Sequence, residues 1–146
     1  MNLNKFTQRS IDAVQYAQQM AEAESHPQIM PEHLLSALLR QEDGLIEKLI
    51  KKLGADFDGI AREVDDAIKM LPKQQGGQIY ASREFSQVVT KAEGELKNFK
   101  DEYVSVEHLF LALLEVKSKA QEILKANGIK REEILKALTS IRGTRR

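Results

Sequence analysis

The sequence predicts an all-α domain in which one helical unit is written twice. Three observations carry that prediction. Glu32-His33-Leu34-Leu35-Ser36-Ala37-Leu38-Leu39 returns 75 positions later as Glu107-His108-Leu109-Phe110-Leu111-Ala112-Leu113-Leu114, with six of the eight residues identical. Self-similarity at a fixed period marks a repeated supersecondary unit. Apolar residues recur at three- and four-residue steps along most of the chain, which is the helical period. No segment alternates apolar and polar residues as a half-buried strand does, so no strand is expected.

At the same offset Thr7 falls on Ser82, Val14 on Val89, Ala17 on Ala92, Glu47 on Glu122 and Leu49 on Leu124. One residue is then lost, and Gly54 matches Gly128 as Ile60 matches Ile134. Each unit therefore reads as four short helices. The first helix begins after Thr7, a good N-cap, and carries Ile11, Val14, Ala17 and Ala21. Its twin begins after Ser82 and carries Phe85, Val88, Val89, Ala92, Leu96 and Phe99. The second helix starts at Pro31, where the missing N–H costs nothing; its twin starts at Val106 with Ser105 as N-cap. Leu34 to Leu39 and Leu109 to Leu114 are apolar almost all round, and helices without a polar face are buried. These two are expected at the centre of the fold.

The third helix, about Leu45 to Leu53, ends at Gly54, and its twin ends at Asn127-Gly128. Glycine just past a helix end takes the left-handed conformation there at little cost. The fourth helix carries Ile60, Val64, Ala67, Ile68 and Leu71 and stops at Pro72; its twin carries Ile134, Leu135, Leu138 and Ile141 and stops near Gly143. Pro72-Lys73-Gln74-Gln75-Gly76-Gly77-Gln78 is a loop by composition. It is too short to separate the units, since each buried helix needs a second layer over it. A single domain is expected: 1–71 first unit, 72–81 linker, 82–143 second unit.

Composition bounds the function. The 146 residues are enough for roughly 70% of the unfolded surface to be buried without staples. There is no cysteine, so disulfides and thiolate chemistry are excluded, in keeping with a reducing, cytoplasmic setting. Met1 to Lys5 form no apolar signal region, and no run approaches the length that spans a bilayer. Lysine plus arginine balance aspartate plus glutamate at 22 each. A neutral chain has no general attraction to nucleic acid or anionic lipid; only Arg142-Gly143-Thr144-Arg145-Arg146 is locally basic.

Catalytic motifs are missing. The sequence has no G-x-x-x-x-G-K-[ST] or G-x-G-x-x-G phosphate loop and no G-x-S-x-G elbow. A catalytic or metal reading would rest on His26, His33 and His108. Glu32-His33 and Glu107-His108 are adjacent pairs that point in different directions, and the H-E-x-x-H ligand spacing is absent. Glu32 and Glu107 instead sit in a first helical turn, where a carboxylate meets free N–H groups, and the histidines are expected to support the same helix start.

Function is sought where the copies differ. Lys100-Asp101-Glu102-Tyr103-Val104-Ser105 stands where the first unit has Ser25-His26-Pro27-Gln28-Ile29-Met30, and Phe110-Leu111 replaces Leu35-Ser36. An apolar patch rimmed by Thr7, Asp101 and Glu107 is a candidate site for an extended peptide. The plain alternative makes Val89, Tyr103 and Phe110 core residues and Thr7 a cap.

Phe6-Thr7 leading a helix, the paired E-H-L-x-x-A-L-L blocks, Leu71-Pro72-Lys73 at the join, and Lys100 to Leu109 together resemble the double Clp-N repeat of Clp-family AAA+ unfoldases. The resemblance covers essentially the whole chain. Met30-Pro31-Glu32-His33-Leu34 and Ser105-Val106-Glu107-His108-Leu109 are closer to the ClpB branch of disaggregases than to the ClpC type. The resemblance implies a substrate-binding module on a mobile linker, beginning at 144–146. It would capture unfolded or aggregated protein for a hexameric ring that works with the DnaK system. It implies no cofactor in this domain, with ATP and magnesium bound elsewhere in the parent, and a monomeric isolated domain. The family's polar functional positions fall on Thr7, Asp101 and Glu107, and its groove position on Val89; neighbouring groove positions fall on Lys91 and His108, which are not apolar. An adaptor-docking module of the ClpA/ClpC kind is the alternative. A DNA-binding protein is opposed by the neutral charge, and a small enzyme by the missing motifs.

Overall fold

The computed structural model describes residues 2–144. Its order is α1 (Gln8–Ala23), β1 (Gln28–Ile29), α2 (Pro31–Leu39), α3 (Leu45–Lys52), α4 (Phe57–Lys69), β2 (Tyr80–Ala81), α5 (Arg83–Phe99), α6 (Val106–Glu115), α7 (Lys119–Ala126) and α8 (Arg131–Thr144). The all-α class and the four-helix unit hold. The last two residues of the expected onward linker lie outside the described residues, and Thr144 ends α8.

Local chemistry places the helix ends. Thr7 Oγ1 accepts the Ser10 N–H at 3.2 Å, and Ser82 Oγ accepts the Phe85 N–H at 3.0 Å. Gly54 and Gly128 follow α3 and α7 with φ of +77° and +78°, a region that costs glycine least. Every residue of α2 is buried, and so is every residue of α6 except its last, Glu115. Packed at the centre, these two helices touch each other, and each touches helices of both units.

The expectation of no strand is corrected by β1 and β2, which pair in parallel, Gln28 with Tyr80 and Ile29 with Ala81. Two residues are too few to show alternation, so the pairing is created by tertiary contact. Phe6 and Val104 form a second parallel bridge. Ala81 stands 75 positions after Phe6, and Val104 stands 75 after Ile29, so the two pairings are one contact repeated by the pseudo-two-fold. Thr7 N–H donates to Val104 O at 2.9 Å, and Ser82 N–H donates to Ile29 O at 3.0 Å. The entrance to each unit's first helix is therefore held by the other unit. Helices cross over too: α3 packs on α6 and α8, while α7 packs on α2 and α4. Neither unit has its own closed core, and the two form one domain.

Candidate functional site

The histidines secure the two central helix starts. Met30 N–H donates to His33 Nδ1 at 2.9 Å, and Ser105 N–H donates to His108 Nδ1 at 2.8 Å. Each ring thereby satisfies a backbone donor just ahead of its helix. With Nδ1 accepting, the ring proton sits on Nε2. The Nε2 contacts then differ between units. His33 meets His26 Nδ1 at 2.9 Å, whereas His108 meets Asp101 Oδ2 at 3.0 Å. His26 and Asp101 are equivalent positions, 75 residues apart.

Burial, with the neighbouring His26 acting in the same sense, lowers the His33 pKa to about 4. Burial also lowers His26. A histidine whose folded value lies below its unfolded 6.5 contributes stability that is present above pH 6.5 and lost as pH falls toward 4. Acidification from pH 7 to 5.5 is expected to cost about 1 kcal/mol through His33. Denaturant midpoints at the two pH values measure the loss. Imidazole NMR shifts should leave His33 neutral until near pH 4, and titration of His33 near 6.5 would refute the assignment.

Thr7 and Glu107 come together in a cleft of about 390 Å³, with Arg9, Leu45, Lys48 and Ser105 also on its wall. It lies where the starts of α1, α3 and α6 converge. Asp101 joins through Arg142, a residue that sequence reasoning placed only in a basic tail. Arg142 Nη2 lies 3.0 Å from Asp101 Oδ2 and 2.9 Å from Glu107 Oε2. Its guanidinium covers the Phe99 ring at 4.9 Å. Burial pushes the Glu107 carboxyl up, but hydrogen bonds from Ser105 and Arg142 hold it below the usual carboxylate range. The signal for Arg142 was its place beside Leu138 and Ile141 on the apolar stripe of α8; its counterpart in the first unit is Ile68.

That exchange leaves Glu32 different from its twin. Glu32 is 3% exposed, and its Oε1 has no hydrogen-bond partner among the described residues. Burial raises its pKa, with Glu84 adding repulsion, despite a backbone hydrogen bond that acts the other way. A raised folded value means that Glu32 costs stability as pH rises above the ordinary carboxylate range. Glu32→Gln is expected to stabilise the domain by about 0.5–1 kcal/mol at pH 7. A lower midpoint in chemical denaturation would contradict this.

The remaining candidates lie apart from the cleft. Val89 is 5% exposed and Phe110 fully buried, both within the core. Tyr103 is 54% exposed and does not line the cleft. Among the described residues no group of three His, Asp or Glu could hold a metal ion. No described helix is long and apolar enough to cross a membrane.

Comparison with known proteins follows the same lines. The family model of the Clp repeat (R) N-terminal domain matches residues 5–127. A chaperone protein ClpB from Bacteroides thetaiotaomicron is 38% identical over 142 residues, covering 97% of this chain and 16% of the relative. The ClpB of Clostridium perfringens is 35% identical over 153 residues, covering 100% of this chain and 18% of the relative. This chain thus spans about a sixth of their length. The crystal structure of the Hsp104 N-terminal domain from Candida albicans superposes with a TM-score of 0.83 at 28% identity, covering 96% of this chain and 93% of that one. A complex of the ClpV N-domain with a VipB peptide shares the fold, with a TM-score of 0.75 at 21% identity over 95% of this chain and 90% of that one.

Proposed function

This chain belongs to the Clp repeat (R) N-terminal domain family, and we propose that it is the substrate-binding module of a ClpB-type ATP-dependent disaggregase. It captures unfolded or aggregated polypeptide in the cytoplasm and passes it to a hexameric ATPase ring working with the DnaK system. ATP and magnesium belong to that ring's other domains. The observation that carries this reading is the whole-chain identity to ClpB chaperones. We assign that capture to the cleft lined by Thr7 and Glu107.

The cleft suits weak capture. It is small, and its carboxylate Glu107 is already partnered, so a client gains little beyond local burial while losing its own freedom. Weak single sites become effective when several are tethered to one ring. A second reading is a docking module for a defined partner segment, favoured by the ClpV N-domain with its bound VipB peptide.

Titration of the domain with casein, followed by backbone amide NMR, tests the choice. Weak, fast-exchanging shifts around Thr7, Asp101 and Glu107 support client capture. Silence with casein, alongside tight binding of one folded adaptor, moves the function to the second reading.

A further inference from the structure

The pseudo-two-fold supplies an internal control for each surface. Between α1 and the end of α2 the first unit seals itself with its own side chains. Arg40 donates to Ser36 Oγ at 3.1 Å and pairs with Asp65 at 2.9 Å. Gln41 Nε2 donates to Arg9 O at 2.8 Å, and Arg9 donates to Glu42 O at 2.9 Å. About 180 Å³ of cavity is left there. The same place in the second unit, between α5 and the end of α6, is an open cleft of about 710 Å³.

Sequence explains the difference. Tyr16, Gln19, Arg40 and Glu42 become Lys91, Gly94, Glu115 and Lys117. Glu115 is drawn to Arg131 at 3.5 Å, which neutralises the one acidic residue on the cleft wall. Arg83, Lys91 and Lys117 line the cleft, and none has an ion-pair partner among the described residues. Their aliphatic stems can provide apolar wall while their charges stay wet. Glu84 is the nearest acidic neighbour of Arg83 in sequence but does not line the cleft; its charge acts on Glu32.

Gly94 is the second observation. It lies inside α5, where glycine is the poorest residue after proline. A Cβ built there meets no heavy atom within 4 Å, so nothing in the domain's own packing requires a glycine. A bare stretch of helix on an open cleft lets another backbone approach closely.

We propose that this cleft docks an extended, acidic stretch of client polypeptide, its backbone over Gly94 and its carboxylates paired by Arg83, Lys91 and Lys117. Arg83 and Lys91 are eight residues apart on one helix, about 12 Å, which an extended chain covers in roughly four residues. Acidic side chains four apart therefore match. The inference rests on the reading that this chain binds polypeptide clients. The cleft shares Lys91 with the groove positions that the family resemblance implies, is lined by none of the residues of the Thr7 and Glu107 cleft, and adds a charge preference of its own.

A labelled 12-residue peptide with glutamate at every fourth position in a serine and glutamine background tests it, beside its lysine counterpart. The acidic peptide should bind and shift the amides of Lys91, Gly94 and Lys117. Affinity should fall about fivefold or more between 50 and 300 mM salt. The double variant Lys91→Glu, Lys117→Glu should weaken binding about tenfold. Gly94→Ala should raise the melting temperature by about 2–4 °C yet weaken the peptide, a combination that simple helix stabilisation does not produce. Equal binding of the lysine peptide, shifts confined to other surfaces, or undiminished binding by Gly94→Ala overturns the proposal. Shifts at Thr7, Asp101 and Glu107 with casein, but none with the acidic peptide, overturn it alone. No shift with either probe overturns client binding as well.

Discussion

Phe110→Ala is expected to lower stability by about 3–5 kcal/mol, the usual cost of emptying a fully buried aromatic site. Phe110 lies in the middle of α6 with no exposed surface. Its twin Leu35 is equally buried in α2, so both units use this position to fill the shared centre. A domain whose total stability is on the order of 5–15 kcal/mol loses a large fraction of it. Chemical denaturation gives the loss directly. Client affinity of the molecules that stay folded should be unchanged. The opposite pattern, intact stability with reduced client affinity, would return Phe110 to the binding surface. The same comparison with Val89→Ala, at a smaller stability cost, separates core from groove on α5.

Arg142→Ala is expected to cost about 2–3 kcal/mol at pH 7, because it strips two carboxylates of one partner. The figure lies below that for a fully buried pair because Arg142 and Asp101 keep side-chain exposures of 33% and 29%. Glu107, at 10%, bears most of the loss. Its carboxyl is held below the usual carboxylate range with help from Arg142. Its contribution is therefore present above that range and lost as pH falls through the depressed value. Wild type and Arg142→Ala should differ most near neutrality and converge in acid, which a pH series of denaturant midpoints measures. Parallel curves would place the effect in the stacking on Phe99 instead. The consequence for function is direct. Asp101 and Glu107 hold α8 to the start of α6, so a variant at either residue alters the end of α8 as well as the cleft. Arg142→Ala, which leaves both carboxylates in place, separates the two effects.

The parts of the fold legible in the sequence are those set by neighbours within one or two helical turns. Thr7 and Ser82 cap their helices through groups three residues away. His33 and His108 support helix starts three residues back. Gly54 and Gly128 answer a local backbone need. The candidate site was legible only in part. Thr7 and Glu107 meet across 100 residues of sequence, and the third partner, Arg142, announced itself only as a basic residue near the chain end. Val89 and Phe110 show apolar character, which a core position and a groove position share.

The amino-acid sequence by itself determined the repeat, four short helices per unit, the caps at Thr7 and Ser82, and the burial of α2 and α6. Periodicity and capping are short-range interactions that any copy of these residues would make. Tertiary structure alone decided that each unit's entrance is clasped by the other, at Phe6 with Val104 and Ile29 with Ala81. It also decided that Glu107 has an ion-pair partner while Glu32 has none among the described residues, and how four substituted positions leave one of two equivalent surface clefts sealed and the other open. These depend on pairs such as Arg142 with Glu107 and Arg40 with Asp65. Such contacts form only when distant segments pack, and near-identical local sequence then meets different neighbours.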